Sequence, residues 1–207
     1  MNALILVDIQ NDFLPGGALA VRDGDLIVPI ANELMAKFDL VVATKDWHPA
    51  DHLSFASSHP GHSVGDVIEL EGLPQVLWPD HCVEGSGGAE FPCELESDQI
   101  DRIFEKGTDR RIDSYSGFFD NDRRNATGLG VYLTQKGVTG LFVMGLATDY
   151  CVKFTALDAA NLGFKTHLIL DGCRGVELQT GDIDGAIEEM KAAGVTITTS
   201  ADVAAGA

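Results

Sequence analysis

The 207-residue chain reads as one α/β domain spanning residues 1–207, three layers thick, with helices on both faces of a mostly parallel, doubly wound sheet. Three observations predict this. Short apolar runs of strand length alternate with segments whose apolar residues recur at helical spacing. Most of the connections between them are short, as repeated β-α-β units require. Gly137, Gly163 and Gly194 stand where three of the helices should end.

The first strand is Ala3 to Val7, apolar throughout and therefore buried on both faces. Leu26, Ile27, Ile30, Ala31, Leu34, Met35 and Phe38 mark an amphipathic helix, and Leu40 to Ala43 is the next strand. A long insertion follows from about Trp47 to Ser97, rich in Gly, Pro, Ser and His. An irregular segment of that length inside a compact domain usually serves function. Arg102 to Glu105 is then a strand, Ala126 to Gln135 a helix and Gly140 to Met144 a strand. A further helix carries Thr155, Ala156, Ala159, Ala160 and Leu162. Lys165 to Leu170, Asp182 to Ala193 and Val195 to Thr199 complete the alternation as strand, helix and strand.

Composition narrows the function. Hydrophobic residues make up 45% of the chain, and no apolar run approaches the roughly 20 residues that span a bilayer. The first residues lack the basic region and cleavage site of a signal peptide, so a cytoplasmic location is expected. A net charge of −18 without clustered Lys or Arg argues against nucleic acid as a partner. The acidity reads as a solvated surface, or as adaptation to a saline cytoplasm, and favours neutral or cationic ligands over anions. Cys82, Cys93, Cys151 and Cys173 are too scattered for a disulfide scaffold and are read as reduced.

In an open parallel sheet, ligands sit outside the carboxyl ends of the strands. Asp8, Asp46, Lys106 and Gly145 all fall just past predicted strand ends, so separated segments converge on one crevice. Gly145-Leu146-Ala147-Thr148-Asp149-Tyr150-Cys151-Val152 places a thiol where a strand turns into a helix. There the helix N-terminus favours the thiolate and lowers the thiol pKa. Taken alone, Cys151 reads more readily as inert buried packing than as a nucleophile. Four of the six histidines lie between 48 and 62, and His81 lies in Trp78-Pro79-Asp80-His81-Cys82. Asp46-Trp47-His48 with His81 offers one carboxylate and two imidazoles, which leaves coordination positions open as a catalytic metal requires. A histidine-bearing loop without a metal fits the same spacing.

Val7-Asp8-Ile9-Gln10-Asn11-Asp12-Phe13, Asp46-Trp47-His48-Pro49, Trp78-Pro79-Asp80-His81-Cys82, Lys106-Gly107 and the Cys151 segment occur in that order. Together they resemble the nicotinamidases within the isochorismatase-like cysteine hydrolases, over nearly the whole chain. The resemblance implies the isochorismatase-like hydrolase fold and a triad of Asp8, Lys106 and Cys151. It implies a divalent metal, zinc first and manganese or iron as alternatives, held by Asp46, His48 and His81, with His52 as a candidate further ligand. It also implies backbone N–H groups of Ala147 and Cys151 as an oxyanion hole beside a cis Leu146-Ala147 peptide, and pocket walls formed by Phe13, Trp78 and Tyr115.

The activity so implied is hydrolysis of nicotinamide, and by extension pyrazinamide, to the acid and ammonia through a cysteine thioester, a step of NAD salvage. The alternative is a sister cysteine amidohydrolase acting on a carbamoyl or ureido compound. No membrane partner is expected, and the chain is compatible with a monomer or a homo-oligomer.

Overall fold

The computed structural model describes residues 1–206. Strand β1 (Asn2–Val7) leads through helix α1 (Ile27–Met35) to β2 (Val41–Asp46). A small hairpin, β3 (Val67–Leu70) and β4 (Leu73–Val76), precedes β5 (Arg102–Lys106) and α2 (Leu129–Gln135). The chain continues through β6 (Gly140–Leu146), α3 (Lys153–Asn161), β7 (Lys165–Arg174), α4 (Asp182–Ala192), β8 (Thr196–Thr198) and α5 (Ser200–Gly206). Six strands form one sheet in the order β5-β2-β1-β6-β7-β8, and every adjacent pair is parallel.

From β1 the chain winds towards β2 and β5, then crosses over and winds the other way from β6 to β8. Right-handed crossovers running in opposite directions deposit their helices on opposite faces. Accordingly α1 packs with α5 against β7 on one face, while α3 packs with α4 and against β6 and β7 on the other. The winding reverses between β1 and β6, and a sheet opens a crevice at such a point, outside its strand ends. These two strands are also the apolar centre of the molecule. Leu4, Ile5, Leu6 and Val7 of β1 and Leu141, Val143 and Met144 of β6 are fully buried.

Several boundaries differ from the sequence reading, each for a physical reason. β2 does not stop at Ala43 but runs to Asp46, because Thr44, Lys45 and Asp46 are buried polar residues with partners. Helix α2 starts at Leu129 rather than Ala126, since Gly128 holds the left-handed conformation and Ala126 bridges to Phe119. β7 extends past Leu170 to Arg174 across an irregularity in its pairing with β6. The hairpin has a two-residue turn, Glu71-Gly72, with φ of 51° and 85°. Pro74 in its second strand disguises it, because proline is confined to strand edges.

Candidate active site

Asp8 is the first residue after β1, fully buried, with a left-handed φ of 49° that turns its carboxylate out of the strand. The Thr44 hydroxyl donates to Asp8 Oδ1 at 2.6 Å. Asp46 and Lys106 end β2 and β5 and face one another in register. Lys106 Nζ donates to Asp46 Oδ1 at 2.5 Å, to the Ser114 carbonyl at 2.8 Å and to Cys151 Sγ at 3.3 Å. An ammonium has three N–H donors, and these acceptors use them all. Asp8 Oδ2 is an ion-pair neighbour 2.8 Å from Lys106 Nζ. A carboxylate oxygen of Asp8 lies within 4.8 Å of the sulfur, as the ligand atoms of Asp8, Asp46 and Cys151 all do of one another.

Cys151 sits in a π-helical turn, Thr148–Val152, immediately before α3. A helix N-terminus alone would depress its pKa, but here burial outweighs that and drives the thiol well up, with Lys106 opposing. The direction is opposite to the sequence reading, which took the helix N-terminus alone. Burial likewise raises the Asp8 carboxyl against the pull of Lys106. On Asp46, burial opposes the charge, yet the Lys106 ammonium holds the carboxyl well below its ordinary value. Lys106 is kept charged: burial works against it, and Asp46, Asp8 and Cys151 more than compensate.

A second group of three abuts this one. The Asp46 Oδ2 atom is 3.7 Å from His48 Nε2 and 3.8 Å from His81 Nε2. His48 Nδ1 donates to the Gly107 carbonyl at 2.9 Å, and His81 Nδ1 to the Pro79 carbonyl at 2.8 Å. Those bonds leave each Nε2 with a free lone pair, the arrangement in which histidine ligates a metal. His48 Nε2 is buried and has no partner. An imidazole nitrogen so placed beside a carboxylate and a second imidazole fits a divalent cation. The segments converge because the His81 loop runs alongside the His48 loop: His48 N donates to Cys82 O at 3.0 Å and Glu84 N to His48 O at 2.8 Å.

His52 stands behind His48, with ring centroids 4.5 Å apart, and outside this trio. Its Nε2 donates to the Asp109 carbonyl at 3.0 Å and its Nδ1 accepts from Ser54 Oγ at 2.7 Å. Burial lowers its pKa, in keeping with a neutral ring using both nitrogens internally.

A small cavity of about 30 Å³ adjoins both groups. Phe13, Trp78 and Tyr115 line it, with Leu19, Tyr150 and Val176, around Asp46, His81, Asp113, Ala147 and Cys151. A surface cleft of about 720 Å³ beside the Asn11–Gly17 loop touches none of Asp8, Lys106 or Cys151. Chemistry rather than size locates the site. The Leu146-Ala147 peptide is cis, and Ala147 O accepts from Tyr150 N and Val152 N, both at 3.1 Å. The carbonyl is thus turned into the helical turn while Ala147 borders the cavity.

Sequence reasoning gave no task to several residues that hold this arrangement. Gln10 is fully buried and brackets Asp46, donating to its carbonyl and accepting from its N–H, both at 2.8 Å. Asp12 Oδ2 accepts from Cys82 N at 2.7 Å and so anchors the His81 loop. Asp149 accepts from Val176 N at 2.9 Å and Glu177 N at 2.8 Å, tying a cavity wall to the Cys151 turn. The available signal was a polar side chain inside or just beyond an apolar strand. Arg110 and Arg111, whose placement the sequence left open, are exposed and paired with Asp51 and Asp109.

Residues 2–202 match the family model described as the isochorismatase domain. The chain belongs to the isochorismatase family. Among its members, the nicotinamidase of Escherichia coli strain K12 is 52% identical over 204 residues, covering 97% of this chain and 95% of that one. A solved nicotinamidase/pyrazinamidase from Acinetobacter baumannii superposes with a TM-score of 0.95 at 46% identity, covering 98% of this chain and 97% of its own. A pyrazinamidase of Pyrococcus horikoshii, solved in complex with zinc, gives 0.78 at 40% identity, covering 96% and 98%. The isochorismatase-family fold and the doubly wound sheet agree with the sequence reading.

One glycine of this family member carries a sharp expectation. Gly107 has φ of +66°, and a Cβ there would lie 2.3 Å from the His48 ring. Gly107→Ala should displace His48 and reduce the affinity for a divalent cation by about 10- to 100-fold. Equilibrium dialysis against zinc checks this, and unchanged uptake would sink it.

Proposed function

We propose that the chain hydrolyses nicotinamide to nicotinate and ammonia, with Cys151 as nucleophile, Asp8 as proton carrier and Lys106 as electrostatic partner. The observation that carries this reading is the meeting of Asp8, Lys106 and Cys151, with Lys106 Nζ 2.8 Å from Asp8 Oδ2 and 3.3 Å from the sulfur, and with Cys151 lining the cavity. The identity to nicotinamidases at nearly full length supports the choice of substrate.

The reaction uses each group in turn. As Sγ attacks the carboxamide carbon, Asp8 Oδ2 takes the thiol proton and Lys106 balances the charge. The oxyanion is held by the N–H groups of Ala147 and Cys151, whose individual loss costs on the order of 100- to 1,000-fold in comparable sites. Collapse breaks the C–N bond, Asp8 returns the proton to the leaving nitrogen, and ammonia departs from a thioester. Asp8 then deprotonates water, which adds to the thioester carbon; the C–S bond breaks, the acid leaves and the thiol is restored. Phe13, Trp78 and Tyr115 sandwich the flat ring.

Asp46, His48 and His81 would hold the divalent metal, zinc by preference, with Asp46 tied back to Lys106. Bound there, the metal supplies Lewis acidity towards a ring nitrogen or a water. Among the described residues no helix is long and apolar enough to cross a membrane, and the proposed location is the cytoplasm, in NAD salvage.

Purified protein loaded with metal should release ammonia from nicotinamide and, with a ring of the same size, from pyrazinamide. No release from either with metal supplied would overturn the assignment. Exhaustive chelation should abolish turnover, and added zinc, manganese or iron should restore it. Activity indifferent to chelation would remove the trio from the reaction.

A further inference from the structure

The hairpin β3–β4 lies outside the main sheet, yet one of its side chains reaches into the site. Gln75 on β4 is 4% exposed. Its amide nitrogen lies 3.1 Å from Asp113 Oδ2, 3.2 Å from the Tyr115 hydroxyl and 2.8 Å from the Val76 carbonyl, all acceptors. Asp113, also buried, borders the cavity, and its Oδ1 accepts from Ser114 N at 2.7 Å. The carbonyl of the same Ser114 receives Lys106 Nζ at 2.8 Å. The Tyr115 hydroxyl in turn accepts from Trp78 Nε1 at 3.1 Å.

The amide has two N–H donors for these three acceptors, so one goes to the Val76 carbonyl and the other is shared between Asp113 and Tyr115, the heads of two arms. The first runs through Asp113 and Ser114 to the ammonium beside the sulfur, and the second through Tyr115 to the Trp78 ring. A buried carboxylate bordering a cavity has many orientations open to it unless donors fix it, and an unpaired buried acceptor is costly. Neither the triad nor the metal trio accounts for Gln75 being where it is. We propose that Gln75 is a positioning residue that sets the placement of Lys106 and of the Tyr115–Trp78 wall by clamping Asp113. The proposal rests on the amidase reading of the same site and extends it to the hairpin.

Its test is a swap of donor and acceptor. Gln75→Glu puts a carboxylate against Asp113 and should lower kcat on nicotinamide by about 10- to 100-fold, since displacements near 1 Å at a reacting centre cost that much. Gln75→Met, of similar size and uncharged, should also lower kcat and raise KM. Combining Gln75→Glu with Asp113→Asn restores a donor facing an acceptor and should recover most of the lost kcat. A residue that merely stabilised the hairpin would lower the melting temperature in all three and leave kcat of the folded fraction alone. Trp78 emission, isolated by Trp47→Phe, gives a readout that needs no turnover, and it should shift in both single variants and return in the double. Folded single variants with kcat within about twofold of the parent and unshifted emission would overturn the proposal, as would a double variant that recovers neither. Were the parent itself inactive on nicotinamide, the amidase reading would fail while the emission series still decided the clamp.

Discussion

Cys151→Ala should lose about 10³-fold or more of its amidase activity while keeping the fold, measured as ammonia release at saturating nicotinamide beside a melting curve. The expectation follows from the absence of any substitute. Among the described cysteines, Cys82 and Cys173 are buried and burial pushes both thiols up, Cys173 to about 12, whereas Cys93 is exposed. None of these three borders the cavity that Cys151 lines. Cys93→Ala is therefore the matched control and should turn over like the parent. The exposed Cys93 also means that alkylating reagents report accessibility as much as nucleophilicity here, so substitution discriminates better than labelling. Residual activity within about tenfold of the parent in Cys151→Ala would refute thiol attack.

Lys106→Met should abolish activity and also destabilise the protein, by about 3–5 kcal/mol as for other buried pairs stripped of one partner. The double effect is specific to this lysine. Its side chain is fully buried between Asp8 and Asp46, and methionine would leave two carboxylates facing each other without a counter-charge. Such carboxylates respond by taking up protons. The variant should therefore lose stability towards higher pH, because protons that must leave Asp8 and Asp46 would then leave charge buried and unpaired. Denaturant unfolding at two pH values checks this. A variant as stable as the parent would show that the ammonium does not balance that pair.

The apolar strands and their alternation with helices were legible because burial on both faces writes an uninterrupted hydrophobic run, as in Leu4 to Val7. The strand ends were less so. Thr44, Lys45 and Asp46 look like a loop in hydropathy but continue β2, since their polar groups are satisfied by partners far away in the chain. Motif order and positions just past the strand ends bring Asp8, Lys106 and Cys151 to one crevice in the sequence reading, whereas the distances among them depend on the strand order and register of the sheet. The thiol pKa was read in the wrong direction for a related reason: a helix terminus is visible in sequence, and the depth of burial around it is not. The β3–β4 hairpin was missed within a segment dominated by Gly, Pro and His, although it carries Gln75.

Asp46 and Lys106 oppose one another in the β2–β5 ladder, so the neutrality of this buried centre is a matter of alignment between two neighbouring strands. Slipping β5 by one residue would send the ammonium to the opposite side of the sheet and bring Glu105 or Gly107 to its place. Segments outside the ladder can lengthen or shorten without that penalty. Variation in length should accordingly be tolerated at the tip of the 47–97 excursion and be ruinous between Arg102 and Lys106.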